Sequence, residues 1–157
     1  MRTRTECVVV CVAALGILSS AVVSRLDANQ TTAPPQPGVV LSPPSAMPWK
    51  PGSTPGVEQA LLWGDRDQGA NGTIARYPAG FEIRPHYHTH DMRGLIVSGT
   101  WVLGIVGGTK GTLPAGSYFF LPGKTAHTDR CEGPTPCVMF IAQDESRDTV
   151  FLEPSGR

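Results

Sequence analysis

The sequence predicts an all-β domain, an antiparallel sandwich or barrel, and three observations carry that expectation. Short apolar runs recur at regular intervals between residues 57 and 153, and clusters of turn-forming residues separate them. The chain holds 18 glycines and 15 prolines while only 17% of its residues are charged, a composition suited to short strands and many turns. No stretch keeps a helical period for three turns.

Taken in order, the expected strands are Gln59 to Trp63, Gly72 to Tyr77, Phe81 to His88 and Gly94 to Ser98. Thr100 to Val106, Ser117 to Leu121 and Cys137 to Gln143 follow, with Thr149 to Leu152 as a last short one. Gly-Asp-Arg-Asp, Pro-Ala-Gly, Ser-Gly, Gly-Gly and Leu-Pro-Gly lie between them, and these supply the backbone conformations that turns and hairpins need. Several strands in about a hundred residues bury a modest core, and closing the sheet removes exposed edges.

What precedes the domain reads differently. Arg2 and Arg4 stand before a nearly unbroken apolar run from Cys7 to Val23, and Ser19-Ser20-Ala21 puts small residues where a signal peptidase cuts. Residues 1–21 are therefore expected to be a signal peptide, or alternatively an uncleaved anchor, since the run is at the short end for spanning a bilayer. The mature protein would then be exported, periplasmic or secreted. Residues 22–56 are expected to form a flexible linker. Pro34, Pro35, Pro37, Pro43, Pro44, Pro48, Pro51 and Pro55 recur there with Ser, Thr and Gly, and such a stretch buries too little to offset its ordering entropy. Trp49 is its one large anchor, suited to docking on the domain over residues 57–153. Residues 154–157 are a tail. Asn29-Gln-Thr31 and Asn71-Gly-Thr73 have the form of glycosylation sequons.

Thirteen basic and thirteen acidic residues balance, which argues against nucleic acid or an anionic membrane as partner beyond the N-terminal segment. The four histidines fall in two short blocks, Gly80 to Met92 and Gly116 to His127. In an extended strand His86 and His88 point to one side, about 7 Å apart along the backbone. Two imidazoles so placed can share a cation with a third ligand from another strand. Imidazole suits iron, zinc, nickel and copper alike, so the pair alone does not select the ion.

The two blocks resemble the two signature motifs of the cupin superfamily. Gly80, His86, His88 and Gly99 fall on the first, with Met92 where the motif has Glu. Gly116, Pro122 and His127 fall on the second, with Lys124 in place of Gly and Cys131 in place of Asn. Leu62 to Asp67 and Arg93 to Gly99 look like a bacterial branch of cupins defined as a domain of unknown function. The resemblance implies a cupin-type jelly-roll barrel, a homodimer, and one divalent metal ion (iron, zinc, manganese, nickel or copper) held by His86, His88 and His127. Met92 breaks the usual three-His-one-Glu set, because thioether sulfur is a poor substitute for carboxylate. His90 or Asp91 would then supply a fourth ligand from the turn.

Around that site, Glu82 and Arg84 share the alternation of His86 and His88. Arg84 would face the cavity and clamp a substrate carboxylate, the alternative being a surface ion pair. Tyr118 and Phe120 would wall a pocket, or simply pack in the core. Cys131 and Cys137 flank a turn-like Glu-Gly-Pro-Thr-Pro, where an exported protein would form a disulfide; free thiols serving as soft metal ligands are the alternative. The function expected is an exported metal-binding cupin acting on a small molecule, as a dioxygenase-like oxidoreductase. The alternatives are a non-enzymatic sensing cupin and one that has lost its metal.

Overall fold

The computed structural model describes residues 38–153. The expected signal peptide, the first part of the expected linker and the expected C-terminal tail lie outside the described residues. Eleven strands follow one another: β1 (Lys50–Pro51), β2 (Glu58–Gly64), β3 (Asn71–Tyr77), β4 (Glu82–Tyr87), β5 (Met92–Ser98), β6 (Thr100–Ile105), β7 (Lys110–Pro114), β8 (Tyr118–Leu121), β9 (His127–Glu132), β10 (Cys137–Gln143) and β11 (Val150–Phe151). They make a six-stranded sheet in the order β1-β2-β3-β10-β5-β8 and a five-stranded sheet in the order β11-β4-β9-β6-β7. Every ladder is antiparallel. Among the described residues no helix is long and apolar enough to cross a membrane.

Strand alternation builds the core between the sheets. On β10, Cys137, Met139, Ile141 and Gln143 are buried and the residues between them are not, so one face of a central strand is committed to the interior. Met139 lies opposite Ala75 on β3 and Ile96 on β5. Tyr77 crosses to the other sheet, its ring 4.6 Å from Trp101 and 5.0 Å from Phe81. Truncating a fully buried core residue such as Ile96 or Ile141 to Ala removes about 2–5 kcal/mol through lost burial and the cavity left behind.

Three strands escape the reading of the sequence, and each for a reason. Lys50–Pro51 lies inside the expected linker yet pairs with Gln59 and Glu58, while Arg76 sits 4.3 Å over the Trp49 ring. Trp49 thus docks as expected, and it brings the preceding backbone onto a sheet edge, where proline is tolerated. Lys110–Pro114 and His127–Glu132 carry too few large apolar residues to register as strands, but β9 is central in its sheet, between β4 and β6. Asn71, expected as a sequon, is fully buried and donates to the carbonyls of Gly69 and Glu145, so it presents no surface for a glycan.

Cys131 ends the inner face of β9 and Cys137 starts β10, and the two form a disulfide that ties one sheet to the other. Gly99, in the β5–β6 turn, has φ of 80° and lies against this bridge; a Cβ there would stand 2.9 Å from both Cα and Sγ of Cys137. The C-terminal segment runs back over the end of the five-stranded sheet. Arg147 N bonds to Arg66 O at 2.9 Å, Leu152 N to Pro85 O at 3.0 Å, and the Asp148 carboxylate accepts from both N and Oγ1 of Thr89.

Candidate metal centre

His86 on β4, His88 just beyond it and His127 at the start of β9 are all buried, and one nitrogen from each lies within 4.8 Å of the others. His86 and His127 are directly opposed in the β4–β9 ladder. Each ring is fixed by its Nδ1, which donates to a backbone carbonyl: His86 to Arg84 O at 3.0 Å, His127 to Thr125 O at 2.8 Å, and His88 to Asp148 O. Because a carbonyl can only accept, these bonds place the proton on Nδ1 and leave the Nε2 lone pairs of the neutral rings free. Nε2 of His127 is buried without a hydrogen-bond partner. Three oriented imidazole nitrogens, one of them an orphan in the interior, fit a borderline divalent cation.

A carboxylate that sequence reasoning missed stands beside the group. Asp129 follows His127 by two residues on β9 and so faces the same way. Its Oδ2 lies 3.4 Å from Nε2 of His127 and 3.5 Å from Nε2 of His86, and its Oδ1 accepts from Trp101 Nε1 at 2.9 Å. The distances to the imidazoles are those of charge contacts rather than well-formed hydrogen bonds. Burial pushes His86 below the usual imidazole range, His127 adding to the effect, and takes His88 down to about 4 with help from Arg147. Burial acts on His127 in the same direction, but the adjacent Asp129 carboxylate outweighs it and raises this histidine.

The remaining expected residues are distributed unevenly. Met92, standing in the carboxylate place of the first motif, is buried and lines the cavity. His90 lies beyond the strand and outside the three-histidine group, and Asp91 is exposed with its carboxylate taken by Gly123 N at 2.8 Å. Arg84 does not face the cavity. The β4–β9 register slips by one residue between Ile83 and His86, and this bulge reverses the alternation, so Ile83 joins His86 and His88 on the inner face. Arg84 points outward instead, 4.3 Å over the Phe151 ring and bonded to Leu152 O at 3.3 Å. Tyr118 is 60% exposed and Phe120 also faces out; Phe119 takes the inner position. The phase of β8 follows from Gly94, opposite Phe119 on β5, whose missing side chain makes room for the Phe119 ring. Cys131 and Cys137 are bonded to each other, which removes them as free thiolate ligands.

The second-motif turn shows why its usual glycine is useful. Lys124, which replaces it, adopts φ of 62°, a left-handed conformation that costs an L-residue about 1–2 kcal/mol. Lys124 N bonds to His88 O at 2.7 Å, so the turn holds a ligand strand in place.

The cavity enclosed by the two sheets is small, with room for a few water-sized groups. Tyr77, Phe81, Trp101, Phe119, Met139 and Ile141 form its apolar wall, and His86, His88 and Asp129 stand on its polar side.

Solved structures with this architecture include the polyketide cyclase RemF from Streptomyces resistomycificus, with a TM-score of 0.62 and 14% identity over 74% of this chain and 87% of that one. An RmlC-like cupin from Shewanella frigidimarina gives 0.57 and 20% over 68% and 91%. The DMSP lyase DddQ from Ruegeria pomeroyi gives 0.57 and 15% over 72% and 64%. At such identities the likeness concerns the fold. No curated protein matches the sequence. The family described as the ChrR cupin-like domain matches residues 38–147, which take in every strand but β11 and all four residues of the polar cluster. The chain belongs to the ChrR cupin-like domain family, within the cupin superfamily.

Proposed function

We propose that this domain is a metal-dependent enzyme of small molecules, holding one divalent ion on Nε2 of His86, His88 and His127. The observation that carries this reading is the convergence of one nitrogen from each of three buried imidazoles, each ring pinned through Nδ1. Asp129 supplies the carboxylate that Met92 does not, from β9 rather than β5. Bound there, the ion would act as a Lewis acid toward a substrate oxygen. Asp129, held at Oδ1 by Trp101, can take up or return a proton at Oδ2 beside the substrate. The apolar wall keeps bulk water from the reacting group. Two of the similar barrels are enzymes, a polyketide cyclase and a DMSP lyase, which supports a catalytic use of this one. The Cys131–Cys137 disulfide supports work in an oxidising compartment, as an exported protein would require.

Elemental analysis of the purified protein beside His86→Ala and His127→Ala tests the centre. About one ion per chain in the parent and a loss of at least tenfold in either variant are expected; a parent without metal above background refutes it. Oxygen consumption and product formation by the iron-loaded protein over a panel of small organic acids then separate turnover from binding alone.

A further inference from the structure

We propose that the mouth of the barrel is an anion site, in which Arg66 and Arg147 receive a small carboxylate or other oxyanion whose remainder extends toward the histidines. The two arginines come from different segments, the β2–β3 loop and the stretch before β11, and the Arg147 N to Arg66 O bond of 2.9 Å brings those segments together. Both side chains line the histidine cavity. Both also line an outer groove with Thr54 and Thr149, so they stand where the cavity opens to the surface.

Among the described residues no ion pair includes Arg66 or Arg147. Arg66 donates to the neutral Gln59 Oε1, and Nε and Nη1 of Arg147 are buried with no hydrogen bond. Two acids line the same groove: both oxygens of Asp148 are held by Thr89, and Asp67 contributes charge near Arg66 without an ion pair to it. Burial and the charge of Arg147 both weaken the hold of Arg66 on its proton, which shows two like charges sharing a desolvated opening. A buried guanidinium edge without acceptors is costly, and the Arg147 edge beside the second cation of Arg66 makes a fork-shaped receptor for a planar carboxylate. The clamp expected of Arg84 thus falls to other arginines, which line the cavity that Arg84 faces away from.

The inference rests on the same cavity as the metal reading, but the arginines belong to the chain whether or not an ion is bound, so the two can fail separately. Calorimetric titration with butyrate and with butyramide, which match in shape and differ in charge, is run on metal-free and on zinc-loaded protein. Butyrate should bind at least tenfold more tightly than butyramide in both forms. Arg147→Gln and Arg66→Gln should each weaken butyrate at least tenfold while zinc stoichiometry and the unfolding midpoint stay near the parent's, which shows that the fold is intact. Parallel titrations with sulfate and inorganic phosphate tell a planar from a tetrahedral oxyanion. Equal binding of butyrate and butyramide, unchanged butyrate affinity in Arg147→Gln, or no response to any of the three anions overturns the proposal. Loss of zinc with retained butyrate binding would instead refute the metal reading and leave the anion site standing.

Discussion

Acidifying the metal-free protein should unfold it through His88, and the size of the effect follows from its surroundings. His88 is buried, and its folded pKa is about 4 against 6.5 for an unperturbed imidazole. Its folded pKa is depressed, so between those values the unfolded chain binds the proton that the folded chain refuses, and stability falls as pH falls. At 1.36 kcal/mol per pKa unit the loss between pH 7 and pH 4.5 comes to about 2 kcal/mol from this group. His86 is also depressed and acts in the same direction. His127 is raised, so its contribution grows as pH falls from 7 toward 6.5 and is constant below that; it offsets part of the loss at the upper end of the range and none of it below. Urea unfolding followed by tryptophan fluorescence, at pH 7 and pH 4.5, measures the change. Replacing the titrating ring in His88→Gln should reduce the acid loss by about 2 kcal/mol relative to the parent. Equal losses in the two proteins would refute the claim that His88 is buried neutral.

Three further outcomes follow from the same geometry. Asp129→Asn keeps an acceptor for Trp101 but removes the charge beside His86 and His127, so zinc affinity against a competing chelator should fall by about 10–100-fold; an unchanged affinity would detach Asp129 from the centre. Replacing Cys131 and Cys137 together by Ala opens a bridge with a sequence separation of 6, for which loop entropy gives a loss of about 2 kcal/mol, read from the urea midpoint. Lys124→Gly should relieve the left-handed strain at φ 62° and raise the midpoint by the equivalent of about 0.5–1 kcal/mol, the glycine's own entropy cost taking part of the gain.

Most of the barrel is legible in the sequence because its inner strands alternate strongly. Met139 and Ile141 on β10, or Ala75 and Tyr77 on β3, repeat every second residue and leave one choice of face. His86 and His88 are legible for the same reason, since His-x-His in a strand is itself an alternation, whereas His127 is reached through the second cupin motif. The errors come where alternation is interrupted or where its apolar signal is weak. The bulge between Ile83 and His86 moves Arg84 outward, and a slip of one residue leaves no trace in composition. On β8 four consecutive large apolar residues, Tyr118 to Leu121, give no polar phase marker, and only the small Gly94 across the ladder decides that Phe119 turns inward. Asp129 could have been found: extending the parity argument from His127 along β9 reaches it directly. The strand itself went unread because Thr128, Asp129, Arg130 and Glu132 are polar, although β9 is enclosed by neighbours on both sides. Arg66 and Arg147 are 81 positions apart in the chain, and no local pattern links them.

The three ring tethers differ in reach, and that difference orders the assembly of the site in time. His86 and His127 bond to carbonyls two residues upstream, whereas His88 waits for the carbonyl of Asp148, 60 residues away. Two imidazoles can therefore be aimed as soon as β4 meets β9, by contacts each strand carries within itself. The third is aimed only when the C-terminal segment has closed over the barrel, and the same closure delivers Arg147 to its mouth. During refolding, zinc should accordingly be captured in step with the burial of this segment and after the two sheets have formed. Stopped-flow chelator release, compared with tryptophan burial, would time the two events. The stretch of chain before β11 thus supplies both the third imidazole tether and an arginine of the mouth.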